Sequence, residues 1–248
     1  MLKIIINGIS GKMGQEVYKE INSLSDCEVV CGVDKNSDNR YIPVYDDVKE
    51  IKEEADIIID FSTPEGTLNI LEYAKKKSIP VVIATTGFNS SQMDIIKNYS
   101  KSIPIFYSSN MSFEVNVMCE VVSSLAKKFN DSDIEIIETH HRNKVDSPSG
   151  TALMLANSIN ESLDNSKEYV YDRHCVRQRR NDKEIGIHSV RGGTVVGKHT
   201  VIFIGDNESF EITHNVESRN IFAKGAIKAA KYLVSQKNGL YNMKDLVS

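Results

Sequence analysis

Short apolar runs alternate with amphipathic helical stretches through the first half of the chain. The apolar runs have the length of buried strands, and they cover residues 3–7, 28–33, 55–61, 81–84 and 103–107. Between them, stretches such as residues 64–76 and 90–99 repeat their apolar positions with the period of a helix. This alternation is typical of a parallel sheet covered by helices on both faces. We therefore predict a doubly wound α/β domain.

The second half of the chain has a different pattern. We predict helices after Asn116 to about Lys128 and over residues 152–159, with a strand over 134–138 between them. Residues 160–167 are polar and predict a loop, and residues 169–174 could form a strand. Three extended runs follow, over residues 185–191, 195–204 and 209–216. The dipeptides Gly192-Gly193 and Gly205-Asp206 separate them and are typical of antiparallel hairpins.

These two patterns predict two domains. Residues 1–109 and 219–248 would form a dinucleotide-binding domain, because a helix over 220–235 and a short strand over 240–243 return to the first sheet. Residues 110–218 would form a second α+β domain for substrate binding and oligomerisation. Its open antiparallel or mixed sheet would carry helices on one face only. An uncovered sheet face is a liability unless it is paired, so we expect oligomerisation through it.

Composition and charge exclude several classes of partner. The 248 residues include 30 basic and 34 acidic side chains, and the net charge of −4 gives no field that favours nucleic acid. No apolar run has the length of a membrane span, and the N-terminus lacks a signal-peptide pattern. The four cysteines form no C-x-x-C pair. We expect a cytoplasmic protein with reduced thiols and no bound metal.

A glycine-rich turn joins the first predicted strand to a helix that continues through Leu24. It has the spacing G-x-x-G-x-x-G, one residue longer than the usual dinucleotide fingerprint, and its candidate cofactor-binding residues are Gly8, Gly11, Lys12, Met13 and Gly14. Asp34 ends the second strand about twenty residues later, where a carboxylate typically binds the ribose hydroxyls of NAD. Lys12 and Lys35 are cations that could pair with the 2′-phosphate of NADP. The cofactor is therefore expected to be NADH or NADPH, unless Asp34 merely ends a strand.

Three polar junctions follow later strands of the same predicted sheet. Ligands of such sheets bind at the carboxyl ends of the strands. The junctions contain the further candidate cofactor-binding residues Phe61, Ser62, Thr63, Thr85, Thr86, Gly87, Ser109, Asn110 and Met111.

A junction between a strand and a helix carries the clearest candidate chemistry, within residues 138–152. His140 and His141 could supply a proton near neutral pH. An anion would meet the backbone N–H groups of Gly150 and Thr151, the Thr151 hydroxyl and the Lys144 ammonium group. Each of these residues taken singly also suits an ordinary structural role, such as a helix cap. Their combination within one short stretch favours a site.

The segment over residues 135–152, which reads EIIETHHRNKVDSPSGTA, resembles the signature of the dihydrodipicolinate reductase family. The three junctions and residues 189–194, 197–199 and 218–223 resemble it too. Two positions depart from the family pattern. Ala84 stands where glycine is usual before Thr-Thr-Gly, and Glu114 stands where a small residue is usual.

The resemblance implies a Rossmann-like first domain and a homotetramer. It also implies the NAD(P)H-dependent reduction of 4-hydroxy-tetrahydrodipicolinate, a small dicarboxylate imine, in lysine and diaminopimelate synthesis. By resemblance His140 is the general acid and Lys144 a second donor or charge stabiliser. His141, Gly150 and Thr151 would bind the substrate, and Arg219 would join the cofactor-binding residues.

Two other functions fit parts of the sequence. A metal-dependent hydrolase could use the two histidines, although adjacent histidines rarely share one metal ion. A nicotinamide-binding sensor without catalysis would share the first domain, but it would leave the residues from Lys144 to Thr151 unexplained. The basic segment over residues 177–183 lacks the aromatic side chains for base stacking. We interpret it as a mobile cationic loop near the substrate, or as a solvated hairpin.

Overall fold

The computed structural model describes residues 1–36, 42–174 and 177–247. The strands in chain order are β1 (Leu2–Asn7), β2 (Cys27–Val33), β3 (Val44–Tyr45), β4 (Ile57–Asp60), β5 (Val81–Ile83), β6 (Pro104–Tyr107), β7 (Asp133–His140), β8 (Glu168–Val170), β9 (Glu184–Arg191), β10 (Gly197–Gly205), β11 (Glu208–Val216) and β12 (Gly239–Tyr241). The helices are α1 (Lys12–Asn22), α2 (Pro64–Lys77), α3 (Ser90–Tyr99), α4 (Phe113–Lys128), α5 (Gly150–Ser162), α6 (Asn220–Leu233) and α7 (Met243–Val247), with a 3-10 turn at Val48–Glu50.

The chain divides into two compact units. The first consists of Met1–Phe113 and Asn220–Ser248, and the second consists of Glu114–Arg219. The first unit is therefore built from two separate parts of the chain. Each unit has its own sheet and its own hydrophobic core.

The first unit contains a parallel sheet of seven strands in the order β12-β6-β5-β4-β1-β2-β3. Buried apolar clusters lie on both faces, because side chains such as those of Ile58 and Ile59 point alternately to opposite sides. The predicted doubly wound sheet is confirmed. Strand order reverses at β1, between β2 and β4, which is where such sheets bind their ligands.

The second unit contains a mixed sheet of five strands in the order β11-β10-β7-β9-β8. Strand β7 is antiparallel to β10 but parallel to β9, and β8 is also parallel to β9. Helices α4 and α5 pack on one face through an apolar cluster that includes Val122, Leu155 and Ile136. The alternate positions point to the other face, where Ile137, Val190 and Ile204 are exposed.

The interpretation of Gly192-Gly193 as a hairpin was wrong. Strands β9 and β10 pair with opposite edges of β7, so the glycines carry the chain across the end of β7. Gly192 donates its N–H to the carbonyl of His140, and Arg142 donates to the carbonyl of Gly193. A turn signal in sequence cannot show that a strand from about 50 residues earlier lies between the two runs. The Gly205-Asp206 turn does join a hairpin, between β10 and β11.

Several element boundaries also differ from those predicted. Helix α4 begins before Asn116, and Glu114 in its first turn places a carboxylate at the positive end of the helix dipole. Helix α5 extends into the predicted loop because Ile159 and Asn160 are buried against the unit. Helix α1 ends before Leu24, which is exposed. Some strands are shorter than predicted, such as β8, which ends at Val170, and β10, which begins at Gly197, whereas β7 is longer and extends to His140.

In the described parts of the chain, no helix combines the length and the apolar character that a membrane crossing requires.

Candidate active site

A cavity of about 870 Å³ lies in the first unit, at the carboxyl ends of β1, β2 and β4. Seven predicted cofactor-binding residues line it, namely Gly8, Gly11, Asp34, Lys35, Phe61, Ser62 and Thr63. Sequence reasoning did not select Lys49 and Lys76, which add two more cations to its wall. Both are far along the chain from the glycine turn.

The glycine turn after β1 packs too closely for larger residues. Gly8 has a φ of +81°, and a β-carbon there would lie 2.5 Å from the carbonyl oxygen of Phe61. A β-carbon at Gly14 would lie 2.1 Å from the carbonyl oxygen of Gly8, so this glycine lets α1 pack against the turn. Gly11 caps α1 without a side chain. The N–H groups of the first helical turn therefore have no competing side-chain cap when an anion approaches.

Asp34 lies in the cavity wall directly after β2. One carboxylate oxygen accepts a hydrogen bond from the N–H of Ser10 at 3.0 Å, and the other accepts from the N–H of Asn36 at 3.1 Å. Each oxygen keeps a further lone pair for a ligand. The carboxylate thus ties the glycine turn to the end of β2 and still presents acceptors to the cavity.

Asp60 ends β4 and organises the neighbouring polar junction. Its carboxylate is fully buried and accepts hydrogen bonds from the side chains of Asn7, Ser62, Thr67 and Thr85 at 2.5–3.0 Å. Burial raises the pKa of Asp60, and these four neutral donors offset part of that rise. The N–H of Ser62 also donates to Thr85 at 2.9 Å. Asp60 therefore holds together two of the predicted cofactor-binding junctions.

The other predicted cofactor-binding residues do not line this cavity in the described structure. Met111 is buried in the core, where its carbonyl lies against Gly225 of α6. Thr85 is buried with its hydroxyl directed at Asp60. The others outside the lining are Lys12, Met13, Gly14, Thr86, Gly87, Ser109, Asn110 and Arg219.

The second unit places His140 at the end of β7 with Glu138 on the same face of the strand. The two side chains are neighbours because successive residues of a strand alternate between its faces. The Nδ1 atom of His140 lies 2.5 Å from Oε2 of Glu138, whose carboxylate is fully buried. Burial lowers the pKa of His140, and the hydrogen bond to Glu138 offsets only part of this effect.

Arg191 ends β9 opposite His140 and pairs with Glu138. Its NH1 and NH2 groups donate to Oε2 and Oε1 of the carboxylate, each at 2.7 Å. This two-point contact is the strongest geometry for an arginine and a carboxylate. Burial alone would raise the pKa of Glu138, but the hydrogen bonds from Arg191 and His140 lower it to about 2. Glu138 is thus a buried anion at neutral pH.

Helix α5 begins beside these groups. The Ser149 hydroxyl caps the helix by accepting from the N–H of Ala152 at 3.1 Å, while the N–H of Ser149 donates to Oε1 of Glu138 at 3.1 Å. A β-carbon at Gly150 would meet no atom within 4 Å, so the first helical turn is open there. An N-terminal turn of this kind attracts anions.

Lys144 lies in the segment between β7 and α5. Its ammonium group contacts both oxygens of Asp146, at 2.7 and 2.8 Å. Asp146 therefore balances the charge of Lys144 in this structure. The carbonyl of Asp146 also accepts from NH2 of Arg191 at 2.8 Å. His141 accepts the backbone N–H of Lys144 through its carbonyl and so closes the turn.

His199 on β10 completes the cluster. Its ring centroid lies 5.1 Å from that of His140, and its Nε2 atom lies 2.9 Å from the Ser149 hydroxyl. Burial lowers the pKa of His199 to about 4, and the neighbouring His140 contributes to this fall. His199 is therefore neutral in the physiological range.

Sequence reasoning missed four members of this cluster, Glu138, Ser149, Arg191 and His199. Glu138 could have been found from the strand period, since it lies two residues before His140. Arg191 and His199 lie in segments that resemble the reductase family, but their register against β7 was not visible in sequence.

The basic segment over residues 177–183 does not belong to this cluster. Arg180 binds Asp133, Glu135 and three backbone carbonyls where β7 and β9 begin. It is therefore neither a solvated nor a mobile side chain.

Within the described ranges, no three His, Cys, Asp or Glu side chains converge as a metal ion would require.

Comparison with known proteins matches both units. Residues 2–111 match the family model described as dihydrodipicolinate reductase, N-terminus, and residues 114–247 match its C-terminus model. A 4-hydroxy-tetrahydrodipicolinate reductase of Caldanaerobacter subterraneus subsp. tengcongensis is 51% identical, with 100% of this chain and 98% of that protein aligned. Another, from Staphylococcus saprophyticus, is 43% identical over 99% of this chain and 100% of that protein.

A solved structure shares the whole fold. The dipicolinate-bound dihydrodipicolinate reductase of Paenisporosarcina sp. TG-14 superposes with a TM-score of 0.83 at 25% identity, covering 98% of this chain and 97% of that one. A probable dehydrogenase from Thermotoga maritima, with a TM-score of 0.65 at 10% identity, shares the fold alone. The two family models, the full-length relatives and the two sites described above agree, and this chain belongs to the dihydrodipicolinate reductase family.

Proposed function

We propose that this chain catalyses the reduction of 4-hydroxy-tetrahydrodipicolinate to tetrahydrodipicolinate with NADH or NADPH, in which the substrate gains a hydride and a proton and loses its 4-hydroxyl group as water. The observation that carries the proposal is the pairing of His140 with a buried carboxylate, next to a helix N-terminus and the Lys144 ammonium group. This arrangement combines a proton donor with groups that attract carboxylates. A substrate with two carboxylates and a reducible imine uses both.

The cavity of the first unit fits a reduced nicotinamide dinucleotide. The uncapped N-terminus of α1 suits the pyrophosphate, and the lone pairs of Asp34 suit the ribose hydroxyls. Ser62, fixed by Asp60, lies in the wall of the same cavity. When bound, the nicotinamide supplies a hydride.

The N-terminus of α5 supplies the donors for one substrate carboxylate. The N–H groups of Gly150 and Thr151 and the Thr151 hydroxyl are placed at the positive end of the helix dipole. Lys144 supplies a full positive charge, which Asp146 shares until the substrate enters. His141 lies directly after β7 and is assigned a role in substrate binding. Fixed donors of this kind stabilise the charge that develops during reduction.

His140 delivers the proton that neutralises the reduced substrate. Its lowered pKa keeps the bound proton weakly held, so the proton is released readily to a developing anion. Lys144 is assigned as a second donor or as a stabiliser of charge. Positioned acid–base groups of this kind contribute about 10²–10⁴-fold to a rate.

The direct test mixes purified protein, reduced nicotinamide and freshly generated substrate, and follows the absorbance of the nicotinamide. We expect oxidation of the nicotinamide that depends on both the protein and the substrate. For His140→Gln we expect turnover to fall by about 10²–10⁴-fold while nicotinamide affinity stays within about twofold. Absence of nicotinamide oxidation by the unaltered protein would contradict the function. An equal loss of cofactor affinity in the variant would contradict the role of His140.

We also propose that the protein accepts both cofactors. Asp34 favours the free ribose hydroxyls of NADH, and Lys35 offers a partner for the 2′-phosphate of NADPH. The matched variants are Asp34→Ala and Lys35→Ala, each assayed for kcat/KM with the two cofactors. We expect the first to lower the value for NADH more and the second to lower the value for NADPH more. Equal effects on both cofactors would contradict these assignments.

We propose a cytoplasmic homotetramer, assembled through the uncovered face of the second sheet. The exposed side chains of Ile137, Val190 and Ile204 on that face support it, because apolar side chains on an open sheet favour burial against another copy. Light scattering after size-exclusion chromatography should give four times the chain mass, and Ile204→Glu should lower it. A monomer at micromolar concentration would contradict the proposal.

A further inference from the structure

We propose that Glu138 is a positioning residue that fixes His140 and the N-terminus of α5 in one frame, with Arg191 as its counter-charge. The inference rests on the proposed function, in which His140 donates the proton and α5 binds a substrate carboxylate. Sequence reasoning assigned no role to either Glu138 or Arg191. Their importance follows from which atoms of the carboxylate contact which neighbours.

The two oxygens of Glu138 have different partners. Oε2 lies 2.5 Å from Nδ1 of His140, and Oε1 accepts the N–H of Ser149 at 3.1 Å. Arg191 donates to both oxygens. A single buried carboxylate therefore connects the end of β7, the end of β9 and the cap of α5. Glu138 therefore links the proton donor directly to the anion-binding turn.

The contact with Glu138 also fixes the tautomer of His140. Glu138 is an anion and can only accept, so Nδ1 of His140 must carry a hydrogen. In the neutral ring, Nε2 then has the free lone pair, and in the charged ring it carries the transferable proton. Gly197 lies beside Nε2, and a β-carbon there would be 3.1 Å from it. The missing side chain leaves room next to the nitrogen that exchanges the proton.

Glutamine cannot make the same set of contacts as Glu138. Arg191 donates to both carboxylate oxygens, so the amide NH₂ group would face a donor in either orientation. The substitution also removes the negative charge that raises the pKa of His140. Glu138→Gln should therefore disturb both the tautomer and the titration of His140, while the cofactor cavity, which lies in the first unit, keeps its residues unchanged.

Several charged or titratable groups surround His140. They are Glu138 on its own strand, Arg191 on β9, His199 on β10, and Lys144 with Asp146 in the segment before α5. Of these, Glu138 makes the only hydrogen bond to the ring that the described contacts include. It is therefore the group whose removal should change the tautomer as well as the pKa.

The test is an ¹⁵N NMR titration of the histidine rings in the full-length protein, with His140→Gln used to assign the signals. We expect His140 to carry its hydrogen on Nδ1 when neutral. In Glu138→Gln its pKa should fall by about 1–3, and the preference for Nδ1–H should be lost. Glu120→Gln, on the exposed side of α4, is the matched control and should change neither.

Kinetics give a second readout. For Glu138→Gln we expect kcat to fall by about 10²–10⁴-fold. The alkaline limb of the pH–rate profile, where the protonated form of His140 is lost, should shift to lower pH, and the KM for nicotinamide should change by less than about threefold. Arg191→Lys keeps a positive charge but loses the two-point contact, and it should give an intermediate kcat.

The outcomes separate this inference from the proposed function. A wild-type His140 with its hydrogen on Nε2, or an unchanged His140 titration in Glu138→Gln, would overturn the inference whatever the enzyme reduces. A failure to reduce the substrate would overturn the function but leave the NMR result standing. If Glu138→Gln does not fold, the inference is tested by the wild-type tautomer of His140 and by the kcat of Arg191→Lys. A hydrogen on Nε2 in the wild type, or an unchanged kcat in Arg191→Lys, would overturn it.

Discussion

Each unit of the molecule buries one carboxylate completely near the end of a strand, and the two are held in opposite ways. Asp60 in the first unit is surrounded by neutral donors, and burial raises its pKa. Glu138 in the second unit has Arg191 as a partner, and its pKa falls to about 2. Burial is complete in both cases. The direction of the pKa change is therefore decided by the charge of the partners.

The difference in partners suits the role of each carboxylate. In the first unit, neutral donors around Asp60 hold the loops in place, and they add no strong field to a cavity that must accept a charged dinucleotide. A fixed anion beside His140 instead sets the hydrogen position of a ring that must exchange a proton. The two carboxylates should therefore also differ in how much they contribute to stability and how this contribution depends on pH.

The largest effect is expected when Glu138 loses its counter-charge. Arg191→Met should lower the free energy of unfolding by about 3–5 kcal/mol, because it leaves a buried anion without a cation. Urea unfolding at pH 7 measures the change. Arg179→Met, at an exposed position, is the control and should stay within about 0.5 kcal/mol. If the two variants unfold alike, Arg191 does not stabilise a buried charge.

The two carboxylates should respond to acid with opposite signs. Glu138 has a pKa lowered from 4.5 to about 2, so its stabilisation is complete above about pH 4.5 and is lost as the pH falls towards 2. Asp60 has a raised pKa, so its ionised form costs stability that returns as the pH falls. One proton contributes at most about 1.4 kcal/mol per pH unit.

Urea unfolding at pH 7, 5, 4 and 3 tests these signs. Stability of Glu138→Gln should fall less steeply with acid than that of the unaltered protein, and stability of Asp60→Asn should fall more steeply. Parallel curves for the three proteins would contradict the assignment of opposite shifts.

At neutral pH, Asp60→Asn should have a smaller effect than Arg191→Met. The carboxylate is replaced by an amide that cannot accept from all four donors, and a lost hydrogen bond in the interior costs about 1–3 kcal/mol. The substitution also removes the cost of burying an ionised carboxylate, and this offsets part of the loss. We also expect weaker nicotinamide binding, because Ser62 and Thr85 lose their common partner. Unchanged nicotinamide affinity, measured by fluorescence titration, would confine Asp60 to a structural role.

The smallest effect is expected for the pair of half-buried Lys144 and exposed Asp146. Asp146→Asn should change the free energy of unfolding by less than about 1 kcal/mol, because solvent screens the charges. The substitution releases Lys144, so the KM for the substrate should fall at low salt. Lys144→Met should raise that KM and lower kcat. A large loss of stability in Asp146→Asn would show that the pair is less screened than its exposure indicates.

Local patterns in the sequence were sufficient for most of the first unit. Runs such as residues 57–60 are apolar throughout because both sheet faces are covered, and Pro64 after the Thr63 cap marks the start of α2. The cavity lining followed from the glycine turn and the polar strand ends, because parallel strands bring their carboxyl ends to the same edge. The cations Lys49 and Lys76 were missed since no local signal connects them to that edge.

The second unit was harder to predict because its decisive contacts join distant residues. The pairing of β9 with β7 places Arg191 beside His140, and the antiparallel pairing of β10 with β7 places His199 opposite Glu138. Register between strands about 50–70 residues apart depends on the packing of the whole sheet. The sequence could therefore predict His140, Lys144 and the α5 N-terminus, which share one segment, but not the residues that hold them.

The central position of β7 also determines when the second sheet can assemble during synthesis. Both of its partner strands come from at least 40 residues downstream, so β7 emerges from the ribosome long before either β9 or β10. The first unit can complete its fold only later still, because α6 belongs to its core and β12 forms an edge of its sheet. Long-range pairing of this kind slows folding. A nascent chain that stalls before Asn220 would expose the apolar surface that α6 covers, and it would need protection from aggregation until translation ends.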